Sequence, residues 1–252
     1  MMQRYFIDCA YDGSAYHGWQ IQPNGLSVQQ TIQQALTVLL KKDIEIVGSG
    51  RTDTGVHARQ QWAHADMNIS AYTKEDFIYK LNCILPQDIC VKHILSVIPT
   101  AHSRFDAVER TYKYYMHFHK DPFERYYSYF VNRSLDIDKM QSAANELMKF
   151  TDFASFCKSN AGSQTTICEL RRSEFEVTAT GIVFTISANR FLRNMVRAVV
   201  GTLIEIGQGR LKPEELTSII EKKNRSAAGY SVPAHALFLH EVKYTIFIYT
   251  IV

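Results

Sequence analysis

Apolar positions in the first hundred residues change their period several times, and each change marks an element. Residues 5–11 (YFIDCAY) have strand composition and run into a polar, glycine-bearing loop, DGSAYHG. Over residues 28–41, Val28, Ile32, Ala35, Leu36, Leu39 and Leu40 fall on one helical stripe. Residues 43–47 read as a short strand and residues 61–69 as an imperfectly alternating one. Thr73 is placed to cap a helix over KEDFIYKLNCIL, with Asp76 three residues on completing a capping pattern. A β-rich run over residues 89–98 then ends at Pro99. The order is β-α-β-β-α-β.

The second half repeats that order. An aromatic-rich strand over residues 110–119 is followed by the insertion KDPFERYYSYFVN and a helix over 136–149. Residues 166–177 and 182–187 flank a Thr180-Gly181 turn and predict a hairpin. Helices are expected over 189–206 and 213–222, with a closing strand over 237–244, and TIFIYTIV at the end also reads as strand. The pattern predicts an α+β fold of two similar βαββαβ-type domains, residues 1–105 and 106–252, with helices on one side of antiparallel sheets. A cleft between domains is the natural place for a ligand.

Composition narrows the function classes. With 46% hydrophobic and 21% charged residues in 252, the balance is that of a soluble globular protein. A net charge of +3 permits a nucleic-acid partner without establishing one. No apolar run approaches the roughly 20 residues of a membrane-spanning helix, and the N-terminus lacks the pattern of a signal peptide. The cysteines, Cys9, Cys83, Cys90, Cys157 and Cys168, are odd in number with no C-x-x-C pair, so free thiols in a reducing cytoplasm are expected.

The stretch with the most chemistry is residues 48–58, GSGRTDTGVHA. Its aspartate, Asp53, admits four readings: turn residue, phosphate-loop decoration, metal ligand or nucleophile. Gly50 and Gly55 have Walker spacing, but Val56 and His57 stand where Lys and Ser/Thr are required, and G-x-G-x-x-G fails at Asp53. The nine histidines are scattered; His117 and His119 share a face of the expected strand without a third ligand to join them. No G-x-S-x-G elbow is present. A turn aspartate and a reacting carboxylate remain, and Arg51 two residues away favours an ionised carboxylate.

The neighbouring blocks carry a resemblance. GSGRTDTGVHA is similar to the G-R-T-D-A-G-V-H-A motif of the tRNA pseudouridine synthase A family. YDGSAYHGWQIQPN (residues 11–24), RTYKY (110–114), FLRNMVR (191–197) with Gly201, and PAHALFL (233–239) resemble that family's other blocks, in order and over nearly the whole chain. The resemblance implies isomerisation of uridine to pseudouridine in the anticodon stem-loop of tRNA, around positions 38 to 40. It also implies a homodimer without a cofactor or metal, whose antiparallel sheets join around a central basic cleft. On the matching positions it makes Asp53 the catalytic nucleophile, Arg197 its ion-pair partner and Tyr112 the ring beside the target uracil. Leu237 would pack on the base's other face and Arg51 would sit beside the aspartate. Thr54 stands where the family usually has Ala, and Ala236 where it commonly has Gly.

The chemistry agrees with those residue types. A carboxylate attacks C1′ or stabilises an oxocarbenium-like state. An arginine stays charged and grips a carboxylate in a fork. A tyrosine stacks on an extruded base. On a helical wheel Arg190, Arg193 and Arg197 lie within about 60°, so their helix is expected to turn a basic face to the RNA. His57 is read as bonding the loop or the RNA, Trp19 as stacking on a base or buried, and Tyr16 and His17 as loop residues that touch the RNA backbone. Lys41-Lys42, Arg171-Arg172 and the 222–225 run (KKNR) read as surface charge open to phosphate. The rival reading is a non-catalytic tRNA-binding or folding module of the same fold.

Overall fold

The computed structural model describes residues 2–158, 162 and 164–245. Of the strand expected over residues 245–252, Thr245 follows the last strand residue without joining it, and 246–252 lie outside the described residues. The chain forms two compact units: everything to Val108 together with the strand from Leu239, and Glu109–Phe238.

In the first unit, β1 (Gln3–Tyr11) pairs antiparallel with β3 (His57–Met67) on one side and β4 (Ile89–Ser96) on the other. The two-residue β2 (Val47–Gly48) pairs with β3 through His64 and Ala63. Helix α1 (Val28–Leu40) buries Val28, Ile32, Ala35 and Leu36, which is the stripe expected from its spacing less its last two members. Ser27 caps it by accepting the Gln30 N–H at 3.2 Å, and Lys41 stops it in the left-handed region at φ 55°. Helix α2 (Lys74–Ile84) buries Phe77 and Leu81. Its capping is one-sided: Thr73 Oγ1 accepts the Asp76 N–H at 3.1 Å, worth about 1 kcal/mol, but the Asp76 carboxylate turns to Lys80 at 3.0 Å.

The strand expected at 43–47 shrinks to its last residue plus Gly48. The main chain of Ile46 is satisfied by helix side chains instead of a strand partner. Gln29 Nε2 donates to Ile46 O at 2.7 Å, and Ile46 N–H donates to Gln33 Oε1 at 3.3 Å. Conversely β3 starts four residues earlier than alternation suggests, so the last two residues of the motif, His57 and Ala58, are already strand.

The second unit is built on β5 (Ala107–His117), which pairs antiparallel with β8 (Gly181–Ala188); β8 pairs in turn with β7 (Leu170–Val177). The short β6 (Tyr129–Phe130), within the aromatic insertion, runs parallel to the end of β5. The expected hairpin is β7–β8. All eight residues of β8 are buried, Thr185 and Ser187 among them, so its burial does not alternate. Helix α3 (Ile137–Leu147) is capped by Asp136, whose carboxylate accepts the Lys139 N–H at 3.0 Å. It packs on α4 (Met195–Gly207), and α5 (Glu215–Glu221) follows. Strand β9 (Leu237–Tyr244) has the bounds expected from sequence.

Helix α4 begins six residues later than expected. Asn189 is tied back to β7, its N–H bonding Glu169 O at 3.2 Å and its side-chain oxygen accepting the Glu169 N–H at 2.9 Å. Asn194 then adopts φ 66°, which no helix interior tolerates, and the helix starts after it. Arg190 and Arg193 therefore lie on the irregular approach, and the wheel that grouped them with Arg197 does not apply.

Among the described residues, these five helices and mostly antiparallel strands make an α+β protein, and no helix is long and apolar enough to cross a membrane. All five cysteines are free.

Candidate active site

Residues 49–56 connect β2 to β3 and carry Asp53. Ser49 N–H donates to Trp62 O at 2.7 Å and its hydroxyl to Gln61 Oε1 at 2.9 Å, while Gln61 Nε2 donates to Gly50 O at 2.8 Å. These bonds fix the first half of the loop to the strand it is about to join. The second half is a turn closed by Val56 N–H to Asp53 O at 3.1 Å. Its third residue, Gly55, has φ 77°, the position where a type II turn requires glycine. Asp53 is half-buried at the head of that turn and Thr54 is exposed beside it.

The loop DGSAYHGW grips this turn from the side. A Cβ on Gly13 would stand 2.1 Å from Val56 O, and one on Gly18 2.3 Å from Thr52 O. Trp19 N–H donates to Thr52 O at 3.3 Å, and the hydroxyls of Tyr11 and Thr52, both buried, are 2.9 Å apart. The motif's own glycines have different jobs. Beside Gly48 lies the indole of Trp19, 2.3 Å from where a Cβ would be, so that glycine makes room for protein; Gly50 faces open space.

His57 opens β3 and is only 1% exposed. Its Nδ1 accepts the Gly13 N–H at 3.0 Å, and Asp12 Oδ1 lies at the same distance. Asp12 Oδ1 also takes the Ser14 N–H at 2.9 Å. Of the roles open to His57, bonding the loop is the one its burial permits. Trp19 is buried at 2% exposure rather than stacked on anything outside the protein. Tyr16 is also buried: its hydroxyl donates to Asp88 at 2.6 Å, and burial and that carboxylate push its pKa up. His17 is exposed. Arg51 is exposed and, among the described residues, makes no hydrogen bond or ion pair, so the help expected from it for Asp53 does not take the form of a contact.

In the second unit Tyr112 sits half-buried on β5, with its ring 5.1 Å from Phe191 and perpendicular to it. In the sequence Phe191 is only the first letter of the FLRNMVR block; its place as the wall of the tyrosine emerges from the irregular approach to α4. Arg197, in the first turn of α4, donates from Nε to Val232 O at 2.7 Å, and Val232 N–H returns a bond to Arg197 O at 3.2 Å. The first bond orients the guanidinium; the second ties the Val232 segment to the helix main chain. The segment carrying Val232 crosses the helix over Gly201, where a Cβ would meet Tyr230 O at 1.8 Å. Gly229 N–H donates to Thr202 Oγ1 at 2.9 Å, and Asn194 Nδ2 to Ser231 Oγ at 2.7 Å. A short 3-10 turn, Ala234–Ala236, leads to Leu237, which is 5% exposed. Beneath it the buried Tyr114 donates its hydroxyl to Pro233 O at 3.0 Å, and burial raises that phenol's pKa so that it stays a donor.

Several of the residues read as surface charge have partners within the protein. Arg225 holds Gly229 O at 2.9 Å and Ser231 Oγ at 2.9 Å; Lys223 pairs with Asp152 at 2.8 Å, Arg171 with Glu109 at 3.2 Å and Arg172 with Glu174. Lys41, Lys42 and Lys222 are exposed. His117 is buried and bonded to Ser128 Oγ at 2.9 Å, and His119 lies beyond the end of β5, so the two do not share a strand face. Among the described residues no group of three or more His, Cys, Asp or Glu side chains is placed to hold a metal.

The family model described as tRNA pseudouridine synthase matches residues 9–106 and 143–245. Among curated proteins, the chain is 50% identical to tRNA pseudouridine synthase A of Bacteroides fragilis over 244 residues, 96% of this chain and 97% of that one. It is 50% identical to the protein of that name in Bacteroides thetaiotaomicron, covering 96% and 91%. Across a wider distance it is 40% identical to that of Bacillus subtilis, covering 93% and 96%. The family match takes in the Asp53 loop, Arg197 and Leu237 but not Tyr112, which falls in the unmatched residues 107–142. The relatives align over nearly the full length. The chain belongs to the tRNA pseudouridine synthase family.

Proposed function

We propose that this protein isomerises uridine to pseudouridine in tRNA, acting in the anticodon stem-loop around positions 38 to 40, with Asp53 as the nucleophile. The observation that carries this reading is the coincidence of full-length likeness to proteins named tRNA pseudouridine synthase A with a half-buried carboxylate on a tightly held turn.

The reaction breaks the C1′–N1 bond, turns the uracil in place and joins C1′ to C5, after which C5 loses its proton and N1 gains one. It is redox-neutral and needs no group donor. The Asp53 carboxylate attacks C1′ or stabilises the cationic sugar as N1 leaves, and it must be ionised to do either. Arg197 supplies the counter-charge that keeps it so. Tyr112 holds the extruded base by its ring, stiffened by Phe191, and Leu237 closes on the base's other face. Sheets joined around a basic cleft, a homodimer and a cytoplasmic location complete the reading; all three rest on the family resemblance.

Unmodified tRNA tritiated at uracil C5 tests it, because isomerisation releases that hydrogen. Wild-type protein should release tritium, and Asp53→Ala should release it at least about 10³-fold more slowly, the scale on which nucleophile removal acts. No release by the wild type from any unmodified tRNA would leave a binding module. Equal rates for Asp53→Ala would remove Asp53 from the chemistry.

A further inference from the structure

The DGSAYHGW loop makes its contacts on both sides of Asp53, at Thr52 before it and at Gly55 and His57 after it. On the upstream side, Thr52 is held at two points: its carbonyl by Trp19 N–H at 3.3 Å, and its hydroxyl by Tyr11 Oη at 2.9 Å. On the downstream side, Gly55 N–H reaches Tyr16 O at 3.4 Å and His57 Nδ1 takes the Gly13 N–H. The loop is itself anchored, since Tyr16 donates to Asp88 and Asp12 N–H donates to Asp88 O at 2.9 Å.

Tyr11 differs from the rest of this clasp because it is not a loop residue. It is the last residue of β1, paired with Ala58 on β3 and Ile89 on β4, so its hydroxyl is a fixed point projected from the centre of a sheet. Its ring is 4% exposed and lies 6.0 Å from that of Trp19, and Thr52 is 8% exposed. A Phe against a Val would fill the same space. The buried pair of hydroxyls therefore adds direction rather than volume, one residue away from Asp53.

We infer that Tyr11 is a positioning residue for the isomerisation: its bond to Thr52 fixes the main chain entering Asp53, and so the angle at which the carboxylate meets C1′. The inference rests on Asp53 being the reacting group. A misplacement on the order of 1 Å costs such a reaction about a hundredfold, which sets the scale of the effect.

The test compares Tyr11→Phe, Thr52→Val, Thr52→Ser and the Tyr11→Phe/Thr52→Val double variant with wild type in single-turnover tritium release, with tRNA affinity measured separately. Tyr11→Phe and Thr52→Val should each lower the rate constant at saturating tRNA by about 10- to 100-fold and leave affinity within about twofold. The double variant should be no slower than the slower single one, because both remove the same bond. Thr52→Ser, which keeps the hydroxyl, should stay within about threefold of wild type. Loss of affinity at an unchanged rate constant, additive losses in the double variant, or no loss at all would each overturn the inference. If Thr52→Val fails to fold, Tyr11→Phe, which removes a single oxygen, decides alone. Asp53→Asn separates the two claims: if it is inert while Tyr11→Phe turns over at the wild-type rate, only the positioning role falls. If Asp53→Asn is active, the reading of Asp53 falls and this inference with it.

Discussion

The Asp53 loop and the Arg197 segment solve the same problem by different means. Asp53 sits on a turn whose main chain is clamped at Thr52, Gly55 and Val56, with neighbouring chain packed so close that Gly13 and Gly18 have no room for a side chain. Arg197 rises from a helix, and its side chain is pinned well out from the backbone where Nε bonds Val232 O. The difference follows from reach. An aspartate has two side-chain torsions, so placing its backbone places its carboxylate. An arginine has twice as many flexible bonds and needs a pin near its end. The first region should tolerate almost no change in the main chain, and the second almost no change in the atom that pins the side chain.

The largest effect expected from this contrast is at the glycines. Gly13→Ala drives a Cβ to 2.1 Å from a main-chain carbonyl that cannot swing away, and should cost about 2–4 kcal/mol of stability, seen as a fall in the denaturation midpoint. Gly50→Ala, in open space, should change the midpoint by less than about 1 kcal/mol. Equal costs at the two positions would mean the clamp is not where the structure puts it.

Next in size is Arg197→Lys. It keeps the charge but has no Nε, so it should lose turnover by about 10-fold or more while the protein melts close to the wild-type temperature. A lysine that restores full turnover would show that charge alone suffices and that the Val232 bond positions nothing.

The smallest expected effect is on pH dependence, and it bears on the entry to the Asp53 loop. His64 on β3 faces Val47 of β2, and Ser103 joins them: its N–H donates to His64 Nδ1 at 3.2 Å and its hydroxyl to Val47 O at 2.6 Å. Burial above all, then the neighbouring His102 and Arg4, pushes the His64 imidazole down to about 4, against smaller opposing pulls from Asp66 and Asp106. In the unfolded chain it titrates near 6.5. Between those values the unfolded state binds the extra proton, so the stability His64 contributes is intact above about pH 6.5 and is lost as pH falls toward 4. Urea midpoints at pH 7 and pH 5 should differ less in His64→Gln than in wild type. An identical difference would remove His64 as the source.

Much of the fold is legible in the sequence. The stripe of α1, the Thr73 cap, the β7–β8 hairpin and the bounds of β9 are local patterns, and the folded chain keeps them. The places where local pattern misleads have a common cause. Residues 43–46 look like strand, but Gln29 and Gln33 of α1 claim the main chain of Ile46. Residues 189–194 look like helix, but Glu169 and Ser231 claim Asn189 and Asn194. In each case a partner distant in sequence overrides the local preference. At the candidate site, His57 and Trp19 are open to roles in binding RNA on residue type alone, which cannot report that both are inside.

The α+β composition, the family and the identity of the carboxylate worth testing all follow from the order of residues, because periodicity, caps and motif blocks are properties of chain neighbours. That the motif is packed against the DGSAYHGW block becomes visible only in three dimensions. Tyr11, Gly13, Gly18 and Trp19 are paired with Thr52, Val56 and His57 across about forty residues of chain, and close packing between such segments exists only once β1 and β3 lie side by side.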